Sequence, residues 1–429
     1  MMINLNFEFL KKIKSYKLLS SGFLMSSFGI LGGLLGYVFQ ILMGRMLTPK
    51  DFALFGALMG IAAFVLSPLG ALVMIVSKKV SIYIVNNQLI ELLIYFNKIN
   101  TISIKIVLFS LIIVSLFFTE FQNFFKLTEV FPFIFFASLI FFAVLQTINN
   151  AFLQGKKLFY LLGGIGLFGV IIKIFISTIL IIIGMDLNGV FVGVIVSMFI
   201  VWFLSRRFII DRATLVKLPL PDIKKQGLNF KIILPIMLSN IAFVMMTQLD
   251  VVLVNYYFDS DLAGEYAAAS VLGKAVLYLP GGLVTVLYPM VVEQHAMSKA
   301  SSHLLFQAVS ATLVACSLAA LFYWFLGPAL VNFFYGGKYI LAGKYLSLYG
   351  FAILPMALVM VAEHFLIAKG RVLFAWIFLI IAPLQLLTIH FYHQDIESVI
   401  YIIAAGGVFM CIIGYGMLLS DYLRNRIAV

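Results

Sequence analysis

The sequence predicts an all-α polytopic membrane protein, with 12 transmembrane helices in two six-helix lobes related by pseudo-twofold symmetry. Three observations predict it. Of 429 residues, 63% are hydrophobic and only 11% are charged. The apolar runs are each roughly 20 residues long, the length of a helix that crosses a bilayer. Short fragments recur about half a chain apart.

The mean hydropathy is +1.13, and a soluble domain carries about 25% charged residues. Too few charges are present to build a water-facing surface, so lipid must replace water as the main solvent. In lipid only helices and closed barrels satisfy their backbone hydrogen bonds. A barrel needs segments of roughly ten alternating residues. The runs here do not alternate, which excludes it.

Spans are expected at 20–44, 52–77, 101–119, 131–153, 159–183 and 188–206, then at 230–257, 262–287, 304–326, 345–368, 371–391 and 398–421. The basic start (Lys11, Lys12, Lys14, Lys17) leads into a run too long for a signal core, so the first span is expected to stay as an anchor. Of 29 basic residues, Lys173 and Lys274 lie near the middle of spans and Arg45, Lys50, Lys126, Lys338 and Lys344 fall on outer loops. The remainder fall on segments that this assignment makes cytoplasmic. Lys and Arg set orientation, so a multi-pass protein of the bacterial cytoplasmic (inner) membrane is expected, with both termini in the cytoplasm. The net charge of +12 is then a topology signal. No folded basic domain is present for a nucleic acid.

The longest polar stretch holds Arg206, Arg207, Arg212, Lys217, Lys224 and Lys225, with Pro219 and Pro221. It divides the chain into an N-terminal six-helix lobe (1–206), a basic cytoplasmic linker (207–229) and a C-terminal six-helix lobe (230–429). The lobes are weakly alike. Phe152-Leu153-Gln154-Gly155-Lys156 pairs with Phe365-Leu366-Ile367-Ala368-Lys369, and Pro68 with Pro280, at a common offset of about 212 residues. Six spans per copy keep the copies parallel, an arrangement found in transporters.

The turn Gly44-Arg45-Met46-Leu47-Thr48-Pro49-Lys50-Asp51-Phe52 resembles the span 1–2 turn of the Wzx-type polysaccharide-biosynthesis flippases. These belong to the multidrug/oligosaccharidyl-lipid/polysaccharide exporter superfamily. Asp250-Val251-Val252-Leu253-Val254, Ala263-Gly264-Glu265-Tyr266-Ala267-Ala268-Ala269 and Phe334-Tyr335-Gly336-Gly337-Lys338-Tyr339 are similar to that family's later motifs. The resemblance covers nearly the whole chain. It implies a flippase that carries undecaprenyl-diphosphate-linked oligosaccharide repeat units from the cytoplasmic to the outer leaflet by alternating access, for O-antigen, capsule or a related polysaccharide. Implied partners are that lipid, the membrane lipids, and the polymerase and chain-length machinery of the same pathway. No cofactor is implied. The lipid II flippase branch is similar but usually has fourteen spans.

A charge at the bilayer centre costs about 2.5–3.5 kcal/mol on insertion scales, so each one needs a reason. Lys173 is near the middle of span five, on a face with Gly166 and Ser177. Lys274 is near the middle of span eight. Asp250 is in the outer half of span seven, and Arg45 at the outer end of span one. One reading makes these a cationic cavity for a diphosphate, the natural partner of Lys and Arg. In the other, Asp250 and Lys274 neutralise each other and Arg45 reaches the headgroups. Gln146, Asn149, Asn150 and Gln154 share one face of span four. They either bind sugar hydroxyls or join helices. Gly29, Gly32, Gly33 and Gly36 share a face of span one, where close packing is expected. Asp250 and Glu363 are candidate sites for cation coupling; Glu363, with His364 near the cytoplasmic end of span ten, also reads as a solvated helix end. His390 and His393 lack a third ligand, so no metal site is expected. Cys316 and Cys411 read as small buried hydrophobes.

Two rival functions remain. A cation-coupled multidrug antiporter of the same superfamily wants a carboxylate-rich cavity, whereas the mid-membrane charges here are mainly Lys. A membrane polymerase or ligase of lipid-linked sugars wants a large external loop with catalytic groups. The longest outer stretch, Gly327 to Lys344, holds two lysines and no acid or His. The chain is therefore expected to be a transporter and not an enzyme.

Overall fold

The computed structural model describes residues 27–86, 88–127, 129–209, 230–281, 283–284, 291 and 302–427. Among them the secondary structure is helical throughout, and ten stretches are long and apolar enough to cross a membrane. The helices are α1 (Ser27–Met46), α2 (Pro49–Leu66), α3 (Leu69–Val85), α4 (Leu89–Leu116), α5 (Phe118–Phe124), α6 (Phe131–Gly155), α7 (Phe159–Leu180) and α8 (Asp186–Ile209). They continue as α9 (Phe230–Tyr257), α10 (Ser260–Gly273), α11 (Ser302–Tyr335), α12 (Ala342–Ala368), α13 (Leu373–Phe391) and α14 (Ile396–Ile427).

The expected spans map onto these helices with three differences. The second, 52–77, is two helices broken at Ser67 and Pro68. The third begins earlier, since α4 carries Asn97, Lys98 and Asn100 ahead of its apolar core. The fifth and sixth form one continuous stretch, Phe159–Ile209, reversed by a π-helical turn at Ile181–Met185. Gly184 has φ +93 there, a left-handed conformation that only glycine adopts freely. The eighth span begins in α10 and tightens to a 3₁₀ turn at Lys274–Leu277. Most of its expected continuation beyond residue 281 lies outside the described residues, as does the basic linker from residue 210 onward.

Two compact units are present. The first comprises Met1–Gln40, Leu72–Gln122 and Thr128–Leu228, and the second Ile41–Ala71, Asn123–Leu127 and Asn229–Val429. This division differs from the expected 1–206 and 230–429 lobes, because residues 41–71, with all of α2, go with the second unit.

In the first unit, α3, α4 and α6 meet in a core of Val76, Val80, Tyr95, Phe96, Ile148 and Phe152. Phe96 and Phe152 pack edge to face at 4.7 Å. Such a pair contributes about 0.5–1.5 kcal/mol beyond its buried area. α7 and α8 form a hairpin. Gly169 faces Val201, Ser177 faces Gly193 and Leu180 faces Gly189. One number rises as the other falls, so the helices run antiparallel. Gly193 is required, since a Cβ there would lie 2.2 Å from the Ser177 hydroxyl. Along α1 the four glycines differ: a Cβ on Gly29, Gly32, Gly33 or Gly36 would meet nothing within 4 Å. The close packing expected of this face is not present among the described residues.

In the second unit, α12 is the central helix, packed against α10, α11 and α14. α2 packs on α9 and α10. Thr48 caps α2, accepting from the Asp51 amide and donating to the Asp51 carboxylate at 2.7 Å. Pro49 follows at the first helical position, where its missing N–H costs nothing. Pro235, Pro328, Pro355 and Pro383 lie inside helices, which a membrane bundle tolerates. Large apolar side chains point outward in both units, among them Phe109, Phe175, Phe306 and Phe325, each at least 65% exposed. Apolar exposure on that scale marks a lipid-facing surface.

Candidate functional site

Lys173 is on α7 in the first unit and is half-buried. Its ammonium lies 4.2 Å from the centroid of the Phe39 ring on α1. Phe39 is itself 1% exposed. A cation over a ring face is stabilised by the quadrupole, by about 2 kcal/mol or more when desolvated. That interaction holds the ammonium without neutralising it. Among the described residues there are two ion pairs, Lys274–Asp250 and Lys344–Glu397, and neither involves Lys173. The polar face expected around Lys173 is narrower than its spacing suggested. Ser177 is fully buried and donates to the Val190 carbonyl of α8.

The amides of α6 divide by role. Asn149 is fully buried and donates to the Trp202 carbonyl and the Ser205 hydroxyl of α8, at 3.1 and 2.9 Å. It joins two helices. Gln146 and Asn150 are half-buried and bonded to each other at 2.9 Å, with Gln146 donating. The Gln146 carbonyl oxygen has no partner among the described residues. Gln154 is exposed at the end of α6.

The second unit holds a different arrangement. Asp250 on α9 is 1% exposed. One carboxylate oxygen accepts from Lys274 at 3.0 Å. The other accepts from the Tyr266 and Tyr349 hydroxyls at 2.7 and 2.8 Å. Three donors satisfy the carboxylate, and the Lys274 charge is matched by one acid. Sequence spacing suggested the ion pair but not the two tyrosines. Tyr266 lies within a singled-out motif, yet a Tyr in an apolar run gives no sign of its partner. Phe39 was missed for the same reason.

The remaining candidates are scattered. The Arg45 side chain is exposed. Glu363 on α12 is 5% exposed and has no ion-pair partner among the described residues. His390 bonds to the Tyr257 hydroxyl, and His393 stacks on the Tyr257 ring at 3.9 Å. No cluster of three metal-ligating side chains occurs among the described residues. Cys316 is buried, Cys411 is half-buried, and neither is in a disulfide.

No protein-family model matches the chain, and no curated protein does. Solved structures do. The chain is similar to the lipid II flippase MurJ in an inward closed conformation, at 15% identity and a TM-score of 0.67, over 94% of this chain and 89% of that one. It is similar to an inward-facing multidrug resistance MATE family transporter of the MOP superfamily, at 12% identity and 0.66, over 92% and 96%. It is also similar to a MOP superfamily transporter from Pyrococcus furiosus, described by the reverse polarity of its binding pocket, at 14% and 0.54, over 95% of each chain. At these identities the likeness establishes the fold alone: this is an all-helical, multi-pass membrane protein with the fold of the MATE transporters and of MurJ.

Proposed function

We propose that the chain is a flippase for a lipid-linked sugar whose anionic diphosphate binds at Lys173. One observation carries this reading. Lys173 is a half-buried ammonium on a membrane-spanning helix, held by an aromatic ring and paired with no acid among the described residues. A cation in that setting is costly unless an anion arrives. A diphosphate supplies one. Likeness to the fold of a lipid II flippase supports the class of cargo. The finer assignment, an undecaprenyl-diphosphate oligosaccharide moved outward by alternating access, follows from the sequence resemblance.

The roles then divide. Lys173 takes the phosphates. Gln146 and Asn150, half-buried and bonded to each other, are the amides assigned to the sugar hydroxyls. Lys274 contributes little to the cargo, because Asp250 neutralises it. The membrane potential favours this direction. Each charge moved through the field is worth about 2.3 kcal/mol per 100 mV, and an anion leaving an inside-negative cell gains it.

Glu363 favours a second reading. A buried carboxylate with no ion-pair partner among the described residues is what a cation-coupled antiporter uses. A competition assay separates the two. The purified protein in detergent is offered a fluorescent polyprenyl diphosphate and challenged with excess organic cation or excess diphosphate lipid. Displacement by the lipid alone supports the flippase. Binding of organic cations, with no binding of diphosphate, would establish the antiporter instead.

A further inference from the structure

Three of the motifs singled out in the sequence meet in the second unit, although they lie up to 295 residues apart. After α11, Gly336 and Gly337 take φ +68 and +62 and reverse the chain into a short strap that leads to α12. Glu265 of α10 holds this strap by its backbone. The carboxylate accepts from the amides of Ile340, Leu341 and Ala342, at 2.9, 3.1 and 2.7 Å. From the strap, two side chains reach the α1–α2 turn. Lys338 donates to the Arg45 and Leu47 carbonyls at 2.6 and 3.2 Å, and the Tyr339 hydroxyl donates to the Gly44 carbonyl at 2.9 Å.

Apolar packing seals the same place. The rings of Phe52, Tyr335 and Tyr339 lie within 6.2 Å of one another, and each residue is at most 3% exposed. Gly44 is obligatory beneath Tyr335, where a Cβ would come to 2.5 Å. Gly264 is obligatory against Pro49, where the same distance applies to the proline carbonyl. The turn is thus gripped from two sides. Its bonds to the strap are few and go to backbone carbonyls, which water can replace. Loss of solvent and the nearby Arg45 guanidinium hold the Lys338 ammonium below its ordinary value, so the contact carries a built-in cost.

We propose that the Lys338–Tyr339 strap is a latch on the α1–α2 turn within the second unit, and that its release frees residues 41–71 for the step in which the headgroup leaves. The purpose assigned to the latch rests on the flippase reading. The latch itself does not, and accessibility measures it without any cargo. The parent protein carries Cys316→Ala and Cys411→Ala, with Ala57→Cys as the reporter. Ala57 lies on α2, fully buried. A membrane-impermeant maleimide is applied to the outer face of intact cells.

Labelling of the parent should be slow. Lys338→Ala/Tyr339→Phe should accelerate it by about tenfold or more, the effect of losing bonds to a charged donor. Lys344→Ala, which removes the ion pair with Glu397 and no bond to the α1–α2 turn, should leave the rate unchanged. If the double variant does not accumulate, Tyr339→Phe alone keeps the ring packing and should accelerate labelling by about fivefold. Unchanged rates in an accumulating variant overturn the latch, as does an equal rise with Lys344→Ala. Should labelling rise while no lipid is ever moved, the latch stands and the cargo assignment falls. Should lipid move while labelling stays flat, the reverse holds.

Discussion

The ammonium of Lys173 rests 4.2 Å from the centroid of the Phe39 ring, while Lys274 is bonded at 3.0 Å to Asp250. The two mid-membrane lysines look equivalent in sequence. Their surroundings give them different chemistry: among the described residues one cation has no acid beside it, and the other is paired with Asp250.

Lys173 should therefore control diphosphate affinity. Lys173→Ala is expected to weaken binding of a polyprenyl diphosphate by about 10- to 100-fold, the range of one charge-assisted contact. Lys173→Arg should keep part of the affinity, since the charge and the ring contact survive. Titration of the fluorescent lipid in detergent measures both. An unchanged affinity in Lys173→Ala removes the main support for an anionic cargo at this position.

The Asp250–Lys274 pair should behave as a structural element. Asp250→Asn or Lys274→Met alone leaves a buried charge unmatched and is expected to cost about 3–5 kcal/mol. The double variant removes both charges and should recover most of that loss. Thermal unfolding in detergent reads the stability, and the same preparations report lipid binding. If the double variant is stable yet binds no lipid, Lys274 belongs to the cargo site after all.

The glycines should separate into two classes. Gly193→Ala drives a methyl group into Ser177 and should destabilise the α7–α8 hairpin by about 1–3 kcal/mol. Gly32→Ala meets open space and should be neutral, or stabilising by up to about 1 kcal/mol through helix propensity. Equal losses at both positions would mean that α1 has a close neighbour on its glycine face.

Asp395 caps α14, accepting from the Ser398 hydroxyl at 2.6 Å and the Ser398 amide at 2.7 Å. Those bonds hold its carboxyl below the ordinary value of 3.8. A depressed acid contributes its stability above the unfolded value and loses it as pH falls through the folded one. The cap should thus be intact at neutral pH and weaken only below about pH 4. Asp395→Ala should cost about 1 kcal/mol at pH 7. The difference between variant and parent in thermal unfolding should vanish in strong acid, and a constant difference would contradict the assignment.

Much of the fold was legible because lipid imposes a simple rule on composition and run length. The expected boundaries failed where local chemistry intervened. Pro68 breaks a helix that hydropathy reads as one span, whereas the expected break after residue 183 falls at the turn made by Gly184. Residues 41–71 join the second unit, which hydropathy does not encode, because the Gly44, Gly60 and Gly264 contacts are made across long separations. The site was half legible. A Lys in an apolar run announces itself, and two opposite charges on successive spans suggest a pair. Phe39, Tyr266 and Tyr349 stayed hidden, since an aromatic residue in a membrane span is ordinary until its partner is known. Asn149 and Gln146 looked alike on one helix face, and only packing against α8 separated the helix-joining amide from the other.

The most direct test is translocation in proteoliposomes at a clamped potential. The purified protein is reconstituted with a fluorescent polyprenyl-diphosphate sugar, and a reagent outside the vesicle quenches lipid that reaches the outer leaflet. The account predicts movement above that of empty vesicles, faster when the interior is negative, and lost in Lys173→Gln. Flux equal to empty vesicles, flux indifferent to the potential, or full flux in Lys173→Gln would contradict it.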